Sequence, residues 1–155
     1  MTKKKLKLTI ELVPKTCWSE SLRNSMRRKR WDKFRKQVIE QAGGKCQLCG
    51  STDKLHCHEI WNYSDKARIQ RLIGFQTVCN MCHFAKHIGL AQRLSTQGYL
   101  DFDAVVNHFL KVNKVKNSVF EEHLLQASRL WKKRSKCKWK TDLGEFKYLV
   151  MRNGA

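Results

Sequence analysis

Two cysteine pairs, Cys46-Gln-Leu-Cys49 and Cys79-Asn-Met-Cys82, limit what this chain can become more than any other feature. Each CxxC can turn so that both thiolates reach one tetrahedral ion at about 2.3 Å, and two such knuckles complete a four-cysteine zinc site. Cys46, Cys49, Cys79 and Cys82 are therefore the expected ligands of a structural zinc. Gly50, directly after the first knuckle, supplies the permissive backbone such a turn wants. A thioredoxin-like redox pair would need a single CxxC in a βαβ context and leaves the second pair unexplained. Residues 50–78 between the knuckles exceed the roughly 15–20 of a bare zinc ribbon, so the surplus needs a role.

That surplus opens on Leu55-His-Cys-His-Glu-Ile-Trp61, which reads as a strand, and returns through the apolar run Leu72-Ile-Gly-Phe75. Alternation along a strand puts His56 and His58 on one face and Cys57 on the other, toward the core. Cys57 is then a packing thiol and not a ligand. After the second knuckle comes His83-Phe-Ala-Lys-His87. Asn80 suits an N-cap, and Phe84, Ile88 and Ala91 form a helical core stripe, so His83 and His87 stand one turn apart on a neighbouring face. Two imidazoles at that spacing can grip one ion, and His58 from the strand is the candidate third ligand of an open, hydrolytic kind of site.

Residues 44–90 resemble the HNH (His-Asn-His) nucleases, whose ββα-metal element is commonly nested between two CxxC knuckles. The CxxCHxxxH half, carried by Cys79, Cys82, His83 and His87, is the most specific part of the match. The resemblance implies an α+β fold: a small ββα-metal core nested in a four-cysteine zinc site, flanked by a basic N-terminal helical segment and C-terminal helices. It implies hydrolysis of DNA phosphodiester bonds with a catalytic ion on His58, His83 and His87. Glu59 stands where the family usually has its base histidine, and Gly74 where an asparagine often orients that base. Glu59 is accordingly the first candidate base and His56 the second. Lys86, in the same helical turn as the histidines, is placed to hold a phosphate or to be an ordinary solvated lysine. Three imidazoles suit Zn, Ni, Mn or Co, while Mg or Mn serves where water completes the shell.

The flanking sequence points to a polyanionic partner. Lys and Arg outnumber Asp and Glu 32 to 13, for a formal charge of +19 on 155 residues, far beyond what solubility requires. Residues 6–12 alternate like a half-buried strand that Pro14 stops. Residues 20–42 read as a basic amphipathic helix or two short ones, with Trp31, Phe34 and Val38 on the core face and Arg27, Arg28, Arg30 and Lys33 available to phosphates. Helices are expected over 84–96, 101–112 and 118–133, then a basic tail over 131–140 in which Lys132, Lys133 and Arg134 are phosphate contacts, then a strand-like run at 146–150. The whole, 1–155, is expected to be a single domain: 1–43 strand and basic helix, 44–90 zinc-stabilised core, 91–155 helical extension. Neither a signal peptide nor a membrane helix is evident, so a reducing cytoplasm is expected, with Cys17 and Cys137 as packed free thiols.

The partner is expected to be DNA, with RNA not excluded. A protein or ribonucleoprotein assembly of a phage, phage-defence or mobile-element system, or a homodimer, is compatible with the same residues. The competing reading is a zinc-binding nucleic-acid module without catalysis. It explains the charge and the cysteines but not the histidines, and it needs one ion where the nuclease needs two.

Overall fold

The computed structural model describes residues 4–151; the ends of the expected 1–155 domain lie outside the described residues. The architecture is mixed α+β around a three-stranded sheet in the order β1-β2-β3. Helices α1 (Leu22–Ser25) and α2 (Arg28–Gln41) precede the hairpin of β1 (His56–Ser64) and β2 (Ile69–Val78). Then follow α3 (Asn80–Lys86), α4 (Ile88–Thr96), α5 (Phe102–Asn113), α6 (Asn117–Arg134) and the short β3 (Lys140–Asp142). Among the described residues no helix is long and apolar enough to cross a membrane.

The hairpin pairs antiparallel with His56 opposite Val78 and Ile60 opposite Gly74; Trp61 is opposite Leu72, which leaves Ile73 as an extra residue. One face of the sheet receives α1 and α2. Trp31, Leu22, Met26, Cys57 and Leu72 are buried together there, and Phe34 packs edge-on against Phe75 at 4.8 Å. The expected core stripe of α2 thus lies on the sheet, and Cys57 packs where a strand partner of His58 should. The other core cluster joins Val78 at the end of β2 with Cys82, Ala85, Ile88, Val105, Phe109 and Phe120 of α3 to α6. Asp101 caps α5 by accepting from the backbone of Asp103 and Ala104, which fixes where that helix begins.

Two strand expectations are corrected. Residues 6–12 lie outside the sheet, although Leu8 and Ile10 are buried as their alternation requires. Side chains take the place of a partner strand: Asn113 Oδ1 accepts from Lys7 N and Leu8 N at 2.8 and 2.9 Å, Asn113 Nδ2 donates to Leu8 O, and His123 Nε2 accepts from Ile10 N. The segment is a strap across the helices. Residues 146–150 also do not form a strand, because Gly144–Leu149 is a 3-10 helix whose Phe146 and Leu149 pack into the α2 side of the sheet. The C-terminal strand is Lys140–Asp142 instead, parallel to β2.

Asn113 is 4% exposed and serves three backbone groups of the strap. Leaving buried donors and acceptors unpaired costs roughly 1–3 kcal/mol each, so Asn113→Ala should lower unfolding free energy by about 3 kcal/mol in a urea titration.

Candidate metal centre

The first knuckle is shaped by its own backbone and docked on the end of β2. Cys46 N donates to Ser51 O and Gly50 N to Cys46 O, with Gly50 at a φ of 79°, a conformation that favours glycine. Gln47 N donates to Thr77 O and Thr77 N to Gln47 Oε1, which brings the knuckle beside Cys79. Cys79 is the N-cap of α3: its sulfur accepts from Cys82 N, so the second knuckle is the first turn of a helix. The expected cap, Asn80, is the first helical residue, and its side chain is free for another use. All four sulfurs lie within 4.8 Å of one another, the Cys49–Cys79 pair at 3.5 Å. A tetrahedron with bonds of about 2.3 Å has edges of roughly 3.8 Å, so this cluster is spaced to close on one ion such as zinc. His108 Nε2 lies 3.1 Å from Cys82 Sγ, positioned to donate to that sulfur.

Burial pushes the Cys79 thiol up to about 11 and raises Cys82 as well, with the neighbouring sulfurs adding to it. For Cys46 the burial cost is outweighed by the backbone N–H groups of Cys79, Cys49 and Leu48, which bring it down to about 7. Of these three sulfurs, that of Cys46 is therefore poised to ionise first.

A second cluster lies next to the first. His58 of β1, His83 of α3 and His87 at the α3–α4 junction bring one ring nitrogen each within 4.8 Å of the others. Their ring centroids stand 4.6 to 5.6 Å apart, all edge to face. His87 breaks the helix that the sequence extends through it, with φ −98° and ψ 56°, yet His87 N still donates to His83 O, so the one-turn spacing survives. Among the described residues, no hydrogen-bond partner meets the ring nitrogens of His83 and His87. Burial first, and then the neighbouring histidines and Lys86, lower His83 to about 2 and His87 to about 4. Both rings are neutral at pH 7 and keep the lone pair a metal requires, so the donor set fits a divalent ion.

His56 shares the His58 face of β1. It stacks on His83 at 4.6 Å, and its Nε2 meets Asn80 Oδ1 at 3.1 Å. Burial first, then the charges of Arg35 and Arg23, lower its pKa despite the Asn80 bond.

Two expectations about this cluster are corrected. Glu59 is not among the histidines: strand alternation turns it to the other face of β1, where its Oε1 accepts from Arg23 N at 3.1 Å in α1, and burial raises its carboxyl pKa. Lys86 is no surface phosphate contact, since it is 3% exposed and its Nζ binds Glu11 Oε1 at 2.8 Å. Glu11 is the residue that sequence reasoning missed. Its second oxygen meets His58 Nε2 at 2.6 Å, and its backbone N–H donates to Lys86 O. Burial would raise the Glu11 carboxyl, but the His58 hydrogen bond and the Lys86 charge outweigh it and bring it to about 2. As the lone carboxylate among the first nineteen residues it was visible, but a half-buried strand over 6–12 gives it no partner.

The basic residues divide as well. Arg27, Arg28, Lys33, Lys132 and Lys133 are exposed. Arg30 instead donates to Tyr148 O and Met151 O, and Arg134 forms a two-pronged ion pair with Asp65 while lying 4.8 Å over the Tyr63 ring. Those two arginines hold the C-terminal segments in place. Cys17 is buried as a free thiol; Cys137 is only partly buried and lies against Arg68.

Folded His83 and His87 stay neutral where their unfolded counterparts, with an ordinary value of 6.5, take up protons. The unfolded state therefore binds more protons below about pH 6.5, and stability falls as pH drops from 6.5 toward 4. Protein carrying only its cysteine-bound zinc should lose about 4 kcal/mol between pH 7 and pH 5 in urea titrations, roughly half from each ring, and the His83→Gln/His87→Gln double variant should lose much less.

No family model matches the chain, and comparison with curated proteins and with solved structures finds no match.

Proposed function

We propose that the chain is a metal-dependent endonuclease of the HNH type, hydrolysing phosphodiester bonds in DNA with little intrinsic sequence preference. The observation that carries this reading is the convergence of His58, His83 and His87 on one point, 4.8 Å or less apart, beside the four-cysteine cluster. Those three residues would hold the ion, and Cys46, Cys49, Cys79 and Cys82 a structural zinc. A divalent ion held there would supply Lewis-acid stabilisation of charge on the scissile phosphate and the departing oxygen.

With Glu59 turned to α1, activation of water falls to His56. When its Nε2–H donates to Asn80 Oδ1, Nδ1 keeps a lone pair with which to take a proton. The lowered pKa keeps that ring unprotonated at neutral pH, as a base must be. Arg27, Arg28, Lys33, Lys132 and Lys133 supply backbone phosphate contacts, which position nucleic acid without reading its sequence. The engagement of Glu59 with Arg23 favours a second reading, a zinc-stabilised nucleic-acid module without catalysis.

Incubation with supercoiled, nicked and branched DNA in Mn²⁺ or Mg²⁺ separates the two. The nuclease reading expects cleavage that stops on chelation. Binding with no cleavage of any of these substrates would support the module instead.

A further inference from the structure

The strap residue Glu11 joins the two sides of the histidine cluster. One carboxylate oxygen meets His58 Nε2 at 2.6 Å and the other meets Lys86 Nζ at 2.8 Å, while the Glu11 backbone N–H donates to Lys86 O at 2.9 Å. The strap reaches this place because Asn113 and His123 tie residues 7–10 to α5 and α6. A charge pair with its lysine 3% exposed is a costly thing to build, and hydrophobic residues of similar volume often serve stability as well. Stability is therefore a weak reason for it. Its geometry gives a stronger one, since a carboxylate against one ring nitrogen decides which nitrogen of the imidazole carries the proton.

We infer that Glu11 is a positioning residue for the second metal site: it accepts a hydrogen bond from His58 Nε2–H, fixes that tautomer, and so presents the Nδ1 lone pair of His58 to the ion, with Lys86 holding the carboxylate in register. This inference rests on the proposed second metal site. Such outer carboxylates orient the ligand ring and raise its basicity, and their loss typically costs 10–100-fold in metal affinity. Lys86 acquires a role as well, as the counter-charge that lets a carboxylate sit beside a buried imidazole.

Cobalt(II) titration of the full-length protein tests this, because thiolate and imidazole sites give separable absorption bands. Glu11→Ala should weaken Co²⁺ at the histidine site 10–100-fold and leave the thiolate band unchanged. Glu11→Gln, whose carbonyl can still accept from Nε2–H, should recover part of that loss. Because Glu11→Ala strands the Lys86 charge, the Glu11→Ala/Lys86→Met variant removes both charges together and should show the same weakening in a normally folded protein. Nitrogen-15 NMR of the zinc-loaded wild type should show His58 protonated on Nε2 and metallated on Nδ1. Unchanged affinity in the double variant, or zinc on His58 Nε2, would overturn the inference. A wild type that binds no second ion would instead overturn the nuclease reading, so the two failures are distinguishable.

Discussion

Cys82→Ser should abolish cooperative folding at 37 °C, and stripping zinc from the unaltered chain with a strong chelator should do the same. Cys82 is fully buried among Val78, Ala85, Ile88 and Phe109, at the place where α3 leaves the sheet. Its sulfur is both a core atom and a member of the four-cysteine cluster, so the substitution would remove a bond to the expected zinc and leave a hydroxyl in apolar surroundings. Structural zinc contributes roughly 10–16 kcal/mol in small domains, as much as or more than the 5–15 kcal/mol of a typical fold. The three remaining sulfurs leave the ion one ligand short of its tetrahedron. Far-UV circular dichroism and urea titration check this: loss of the transition in both samples is expected, and a native transition in both would mean that the cysteines are not a structural site.

His58→Ala should cut DNA cleavage by about a thousandfold or more while the fold persists on its cysteine-bound zinc. His58 is the member of the histidine cluster that comes from the sheet, is 5% exposed, and faces both His83 and His87. Without it two imidazoles remain on one stretch of chain, and the proposed Lewis acid, which would supply several kcal/mol of transition-state stabilisation, would no longer be held. Each 1.36 kcal/mol of lost stabilisation is a factor of ten in rate. His56→Ala should differ in kind. On the proposed mechanism it should lower kcat by about 10²–10⁴ without loss of either ion, because it would remove the proposed proton acceptor and not a proposed ligand. Single-turnover cleavage alongside metal analysis separates the two effects; equal metal loss in both variants would assign His56 to the ligand set.

Local patterns carried much of this arrangement, and long-range contacts decided the rest. The CxxC spacing and the alternation around His58 are short-range signals, and the structure places those residues together because knuckles and strands are locally determined. The helices expected over 101–112 and 118–133 from periodicity form as Phe102–Asn113, with Asp101 as its cap, and Asn117–Arg134. Residues 6–12 show where periodicity stops. Alternation correctly buries Leu8 and Ile10, but it cannot say whether a strand or the side chains of Asn113 and His123 will satisfy the backbone. Glu11 follows from that ambiguity, since it reaches His58 across the fold from a segment whose partner lies far away in sequence. Glu59 was misplaced for a different reason: its position came from a family pattern, whereas strand geometry turns neighbours of His58 to the opposite face.

Two separate metal centres in one chain are the central claim of the proposed function, and counting bound metal tests it most directly. Elemental analysis of protein saturated with zinc and freed of excess should give two ions per chain. His58→Ala/His87→Ala should give one, and Co²⁺ in that variant should keep its thiolate charge-transfer band. One ion per unaltered chain, or a second ion that the double variant retains, would contradict it.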